Sequence, residues 1–322
     1  MRRLGLAEKC AVVLHDGDRP QVLSHETTYG VSFVSLKETI QETDALWNFH
    51  CSIRTPLLHE FKWKALLDVD PGHLQISALH WDLGIEEHNL LFSVGSKIND
   101  RDCKIPKLRK NWHAFFPCVH LPLWRVEPPN REAPITSITQ WTWGEDLPFN
   151  GYTLSSSKRD AYLRFLNLPR RCSAKFVLAA NIHPKDVTGD RQLLTEQGWT
   201  LTHPHQCAST VEHYQRFIRD SIAELGCAKS VYTALRTGWF SDRSAAYLAS
   251  GRPVLAENTG FSDHLPTGSG LLSFTTLDQA VGAVDELLRN YPRHQKAARE
   301  IAESYLSTER VLAKMIDHCA AA

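Results

Sequence analysis

The sequence predicts an α/β fold of two domains, each built on a parallel sheet. Three observations predict it. Short apolar runs alternate with helical or loop stretches, the pattern of strands joined by crossovers. The length, 322 residues, is enough for two domains of ordinary size, and a hydrophobic content of 43% can fill a core in each. The stretch from Gly238 to Phe261 reads as a loop, a helix, a tight turn, a strand suited to a parallel sheet, and a second loop.

In chain order, residues 1–5 read as the end of a helix, and 44–50, 64–69 and 90–94 as strands. The second of these strands runs into Asp68-Val69-Asp70-Pro71-Gly72 and the third ends at Gly95. Residues 117–124 are less regular and lead to Glu127-Pro128-Pro129, whose proline pair marks a domain boundary. The expected units are 1–128, 131–305 and a C-terminal helix, 306–322, able to pack back on the first unit. The second unit opens with a β-branched strand at 135–141 and a loop containing Gly144, Pro148 and Gly151. A helix at 157–166, a strand at 176–181 and an amphipathic helix at 212–223 follow. In the next segment Ser241 and Asp242 are N-cap residues, 245–249 is helix-forming, Gly251 is a C-cap and 253–256 is a short apolar strand. Leu277, Ala280, Val281, Val284, Leu287 and Leu288 have helical spacing, and helices continue over 293–305 and 308–316.

The helix that starts near Ser241 would offer free backbone N–H groups, a positive dipole end and the Arg243 guanidinium. That combination suits a diphosphate. Together with the turn Ser250-Gly251-Arg252-Pro253-Val254, this segment resembles the donor-binding half of GT-B glycosyltransferases. These are sugar-nucleotide-dependent transferases built from two Rossmann-like domains facing a central cleft. The wider run through Thr259-Gly260-Phe261 and Gly268-Ser269-Gly270-Leu271 is similar to a bacterial and phage-type branch. The resemblance covers the chain from about Asp68 onward and is strongest from Gly238 to Leu312. It implies an acceptor-side domain at 1–128 and a donor domain at 131–305. It also implies a nucleoside-diphosphate sugar as co-substrate, no cofactor, and transfer of a hexosyl or pentosyl group to a hydroxyl acceptor. Two departures stand out. The Gly-rich loop that usually opens the first domain is absent, so that domain is shortened or the start is internal. The glutamate pair that many retaining members carry around the signature helix is also missing, with Ala246 near the second position.

Lys158 lies early in the helix after the first strand of the second unit. In the family a basic residue near this place meets the donor diphosphate. The resemblance therefore implies that Lys158, Arg243 and the helix start with Ser241, Asp242 and Ser244 neutralise the leaving group without a metal. Glu257, Asn258, Thr259 and Gly260 follow a strand at the edge where open α/β sheets bind ligands. They are candidates for donor sugar or ribose hydroxyls, with turn formation as the alternative. His183, at another strand end, is a further donor-side candidate. Asp70 is the candidate general base, placed at the carboxyl edge of the first sheet, with a plain turn as its alternative. His80 and Asp82 are candidate acceptor contacts. A different reading takes Asp68 and Asp70 as the divalent-cation site of a single-domain transferase, but it leaves the C-terminal segment unexplained.

Lys+Arg and Asp+Glu both number 36, so overall charge gives no support for a nucleic-acid or membrane surface. The local stretch of Lys104, Lys107, Arg109 and Lys110 with Trp112, Phe115 and Phe116 leaves a nucleic-acid acceptor open, though a solvated loop with a buried aromatic anchor is favoured. No run is apolar enough to span a bilayer, and no signal-peptide pattern opens the chain. Eight scattered cysteines without a C-x-x-C pair point to a reducing cytoplasm. His203, His205 and Cys207 have no second ligand set and read as a polar loop, so no metal is assigned. Two rivals remain on the same fold: a sugar-nucleotide epimerase and a non-catalytic sugar-nucleotide-binding protein.

Overall fold

The computed structural model describes residues 6–321 apart from 16, 18, 19, 109, 110 and 145. The helix end expected at 1–5, and Arg109 and Lys110 of the basic stretch, lie outside the described residues. An antiparallel hairpin comes first, β1 (Ala11–Val13) with β2 (Thr28–Gly30). The first sheet is β3 (Leu46–Phe49), β4 (Lys64–Asp68), β5 (Leu90–Ser93) and β6 (Trp112–Ala114), all parallel and in chain order. Chain order also runs through β7 (Ile135–Thr139), the hairpin β8 (Leu147–Phe149) and β9 (Tyr152–Leu154), β10 (Phe176–Ala180) and β11 (Trp199–Thr202). It ends with β12 (Ala223–Gly226), β13 (Val254–Glu257) and β14 (Leu271–Phe274). Six of these strands form the second sheet, parallel throughout, in the order β11-β10-β7-β12-β13-β14. That is the doubly wound arrangement, in which the order reverses between β7 and β12 and opens a crevice at the carboxyl ends.

The alternation of β4 assigns its side chains to two cores. Ala65 and Leu67, with Leu90 and Phe92, pack on Val311 and Met315 of the helix Thr308–Ala321. Leu66 and Leu91 face the other way, onto Leu74, Ile76 and, from the second half of the chain, Val231, Tyr232 and Leu235. The first sheet is thus covered on both faces partly by chain that follows the second sheet's strands, as buried parallel strands require. The Glu127 carbonyl, beside the proline pair, accepts hydrogen bonds from Arg252 at 3.1 Å and Gln295 at 3.1 Å. Arg252 is itself only 1% exposed.

Three stretches differ from the periodicity. The helix expected over 212–223 is Val211–Arg219, and Ala223 opens β12 instead. Ile222 donates its backbone N–H to the Pro134 carbonyl at 2.9 Å, so the sheet ladder overrides the local helical pattern. The loop expected around Gly151 carries the β8–β9 hairpin, turned by Asn150-Gly151 with φ of 51° and 78°. The helix expected over 293–305 is Tyr291–Ile301, widening into a π turn at Ala302–Leu306. Among the described residues no helix is long and apolar enough to cross a membrane.

The loop after β5 clasps the second half. Gly95 bridges to Trp239, and Ser96 Oγ donates to the Gly238 carbonyl at 3.0 Å. Lys97, 3% exposed, reaches Asp100 at 3.2 Å, Asp102 at 2.9 Å and Asp263. Burial alone would depress its ammonium, but the hydrogen bonds it donates to Asp263, Asp102 and Asp100 outweigh that and raise it. The close approach depends on Gly238, at φ 72°, where a Cβ would stand 2.7 Å from Lys97 N. Gly238→Ala should therefore destabilise by clearly more than the roughly 1–2 kcal/mol of left-handed strain. Gly268→Ala, at φ 92° with open space around it, should lose only that strain. Paired urea titrations check the difference.

Candidate functional site

A cavity of about 530 Å³ opens at the switch point of the second sheet. Ile138 and Thr139 at the end of β7 with Gln140 just after it, Asn181 after β10, His203 after β11 and Lys229 after β12 line it. All stand at carboxyl ends because the six strands are parallel. Asp70, on the loop after β4, enters from the first sheet. Lys158, Arg243, Tyr232, Trp239 and Trp143 complete the walls used below.

Lys158 opens the helix Lys158–Arg164 and is 9% exposed. Its Nζ donates to the Cys227 carbonyl at 2.6 Å and lies 4.7 Å from the Trp239 ring centroid. No carboxylate among the described residues pairs with it. Burial, and then repulsion from Arg243 and Lys229, push its ammonium down to about 7. The Tyr232 and Trp239 rings stack at 4.4 Å and form an aromatic wall beside it.

Arg243 reaches the cavity from the first turn of the helix Asp242–Ala249, as the sequence led us to expect. Its guanidinium is not free, however. Nε donates to Glu224, which is fully buried in β12, and Nη1 donates to the Ile138 carbonyl at 2.8 Å. Ser241 is the N-cap, but its side chain makes no capping bond. Asp242 Oδ1 accepts from the Arg243 backbone N–H at 2.9 Å, so a carboxylate already answers the dipole at this helix start. Ser244 is 1% exposed and stands outside the cavity lining.

Asp70 lines the cavity, but both its oxygens are engaged. Oδ2 accepts from Lys229 Nζ at 2.8 Å and Oδ1 from the Tyr232 hydroxyl at 2.5 Å. Burial would raise this carboxyl; the Lys229 charge and the two hydrogen bonds outweigh it and hold it below the ordinary value. A carboxylate so held is a weak proton acceptor. Asp68 is buried completely, and burial raises its pKa. It accepts from Gln75 at 2.8 Å, Ser93 at 2.7 Å and the Asp70 N–H at 3.0 Å. Both its oxygens thus accept hydrogen bonds from within the chain, and it shapes the Asp68–Gly72 loop. No group of His, Cys, Asp or Glu suited to a metal occurs among the described residues.

The remaining sequence candidates are not brought to this cavity. Glu257 is 6% exposed and is held by Arg164 at 2.6 Å and the Ala228 N–H at 2.8 Å. Asn258 Oδ1 accepts from Gly260 N–H at 2.8 Å, and Thr259 Oγ1 donates to the Trp239 carbonyl at 2.6 Å. The first is a local turn bond and the second ties this loop to the one before the helix Asp242–Ala249, with Gly260 packed against the Lys97 side chain. His183 is exposed and accepts from the Lys185 N–H at 3.2 Å in a local turn. His80 is on an exposed turn beside Trp81, and Asp82 accepts from the Gly84 N–H at 2.9 Å. The sequence reading missed Lys229, Tyr232, Trp239, Trp143, Asn181 and His203 as lining residues. Lys229 had a findable signal, a cation just after a short apolar strand, once Ala223 is assigned to β12.

At the same edge of the first sheet, His50 follows β3 with φ 52°. Its buried Nδ1 lies 3.9 Å from Asp68, while the ring is 38% exposed. His73 stands 6.4 Å away, ring to ring. Burial, partly opposed by Asp70, lowers its pKa below the ordinary value.

Two parallel sheets with facing carboxyl edges, one of them doubly wound, match known structures over nearly the whole chain. Sucrose-phosphate synthase from Thermosynechococcus elongatus superposes with a TM-score of 0.56 at 11% identity, covering 95% of this chain and 86% of that one. Anabaena HepE in complex with UDP and glucose gives 0.56 at 9% identity over 90% and 81%. A glycosyltransferase from Rickettsia africae gives 0.53 at 10% over 88% and 78%. The chain has the GT-B fold. No protein-family model and no curated protein matches it. Within the GT-B arrangement, the cavity described here lies between the two sheets, against the doubly wound one.

The Arg243–Glu224 pair is a test of structural dependence. Arg243→Ala would leave Glu224 buried and unpaired, a loss of about 3–5 kcal/mol. Arg243→Met combined with Glu224→Leu should recover most of it, as read from urea unfolding.

Proposed function

We propose that this protein is a glycosyltransferase whose interdomain cavity holds a nucleoside-diphosphate sugar and passes its sugar to a hydroxyl acceptor. The observation that carries the reading is Lys158: a buried cation without a carboxylate partner, at the switch point of a doubly wound sheet, in one cavity with Lys229 and Arg243. A diphosphate is the anion that such a cluster fits. The comparison proteins support the choice, since HepE is solved with UDP and with UDP-glucose. Trp143, 56% exposed in the cavity wall, offers a face for the nucleotide base.

In this reading Lys158 and Lys229 stabilise the charge that develops on the departing nucleoside diphosphate, and no divalent metal is required. The acceptor proton goes to His50. Asp68 lies 3.9 Å from its Nδ1, beyond hydrogen-bond reach, and the ring, 38% exposed, is open to an acceptor hydroxyl. Asp70 holds Lys229 in place. The expected location remains the cytoplasm.

Titration with UDP and UDP-glucose tests the donor site. Lys158→Ala should weaken both at least tenfold in a folded protein, and equal affinity in the variant would sink the assignment. EDTA should leave transfer intact.

Lys158 also predicts a proton linkage. At about pH 8 a group titrating near 7 is mostly neutral in the free protein, and a bound diphosphate favours its charged form. Binding should then take up most of a proton near pH 8 and little below about pH 6. Calorimetry in buffers of different ionisation enthalpy measures this, and Lys158→Met should abolish it. In the free protein the depressed value gives stability that rises with pH from about 7 toward the ordinary lysine range, because the unfolded chain binds more protons there.

His50→Ala should lower turnover by about 10²–10⁴-fold with UDP affinity kept. Full turnover in that variant would move the base to His73.

A further inference from the structure

A second cavity, of about 490 Å³, lies beneath the helix Thr308–Ala321 at the carboxyl ends of β5 and β6. Its volume is in the usual range for small-molecule sites, roughly 300–1,000 Å³. The floor is apolar: Phe92 and Phe115 meet edge to face at 6.2 Å, with Val311 and Met315 buried beside them. The rim carries two cations, Arg310 and Lys314. With the His318 imidazole they recur every fourth residue, so the three share one face of the helix.

The charges on this rim are not compensated locally. No carboxylate among the described residues pairs with Arg310 or Lys314. Glu309, their neighbour on the helix, points to His120 at 3.9 Å. Asp100 in the cavity wall is taken by Lys97 at 3.2 Å and His264 at 3.0 Å. The cavity shares no lining residue with the interdomain one, and the Gly95–Trp239 bridge and the Ser96–Gly238 hydrogen bond lie between them.

We propose that this cavity binds a small molecule carrying one anionic group, phosphate or carboxylate, on an apolar body. The body rests on Phe92, Phe115 and Met315, and the anion meets Arg310 and Lys314. It is a site separate from the donor cavity, and it stands whether or not the glycosyltransferase reading does.

Octyl phosphate and octanoate are the probes, titrated calorimetrically into the full chain. At least one should bind saturably with one site per chain. Inorganic phosphate and octanol should each bind at least tenfold more weakly, because each lacks one half of the ligand. Arg310→Ala with Lys314→Ala, both exposed on the helix, should raise the dissociation constant at least tenfold, about 1.4 kcal/mol, with the melting curve unchanged. Lys158→Ala should leave it within twofold. Binding that neither probe saturates, binding indifferent to the Arg310/Lys314 change, or binding lost in Lys158→Ala would each overturn the proposal, the last by placing the probe in the interdomain cavity.

Discussion

The ion pair between Asp70 and Lys229 is the contact on which the cleft depends. It joins the loop after β4 of one sheet to the loop after β12 of the other, 2.8 Å apart. Tyr232 adds a hydrogen bond to the same carboxylate and stacks on Trp239, and Trp239 in turn carries Lys158 and the bridge to Gly95. One carboxylate thereby positions an aromatic wall and two ammonium groups. The remaining charges follow from it. Asp70 answers Lys229 and Glu224 answers Arg243, which leaves Lys158 as the uncompensated cation of the cavity. In a partly desolvated site this imbalance is what an anionic ligand would relieve, and it is expressed as the depressed Lys158 pKa.

What could be read in the sequence was mostly local. The strand and turn around Ser250-Gly251-Arg252-Pro253-Val254 could be read because cap, turn and apolar run are adjacent residues. Arg243 could be placed at a helix start for the same reason. Its Glu224 partner could not, since it comes from β12, a strand whose Glu224 interrupts the apolar pattern and whose first residue continues a helical one. Asp70 shows the same limit from the other side. Its place at a strand end was legible, while the Lys229 and Tyr232 bonds that change its chemistry come from more than 150 residues away. His80 and Asp82 lie close to Asp70 in sequence, yet the short helix His73–Ser77 carries the chain onto an exposed turn before reaching them. His50 ends the run 44–50 that reads as a strand, the kind of position that singled out His183, but its approach to Asp68 at the end of the neighbouring strand could not be read from the local sequence.

The two sheets also divide the work by topology. The second has a reversal in strand order, so adjacent loops part there and a crevice forms without special side chains. The first runs β3-β4-β5-β6 in chain order, and among the described residues it has no reversal. Its loops all lean the same way, and it cannot open a crevice by itself. Any ligand on its carboxyl edge must be enclosed by other parts of the chain. Both cavities that touch this edge obey that rule. Asp70 meets walls supplied by the second sheet, while Phe92 and Phe115 are roofed by the C-terminal helix. The clasp of Lys97 on Asp263 stands between them, so the first sheet can serve two enclosures with different charge balances. In one, the cations are largely matched by carboxylates and a single lysine remains. In the other, the cations stand over an aromatic floor. That difference, rather than the fold, is what would let the protein tell a diphosphate from an amphiphilic anion.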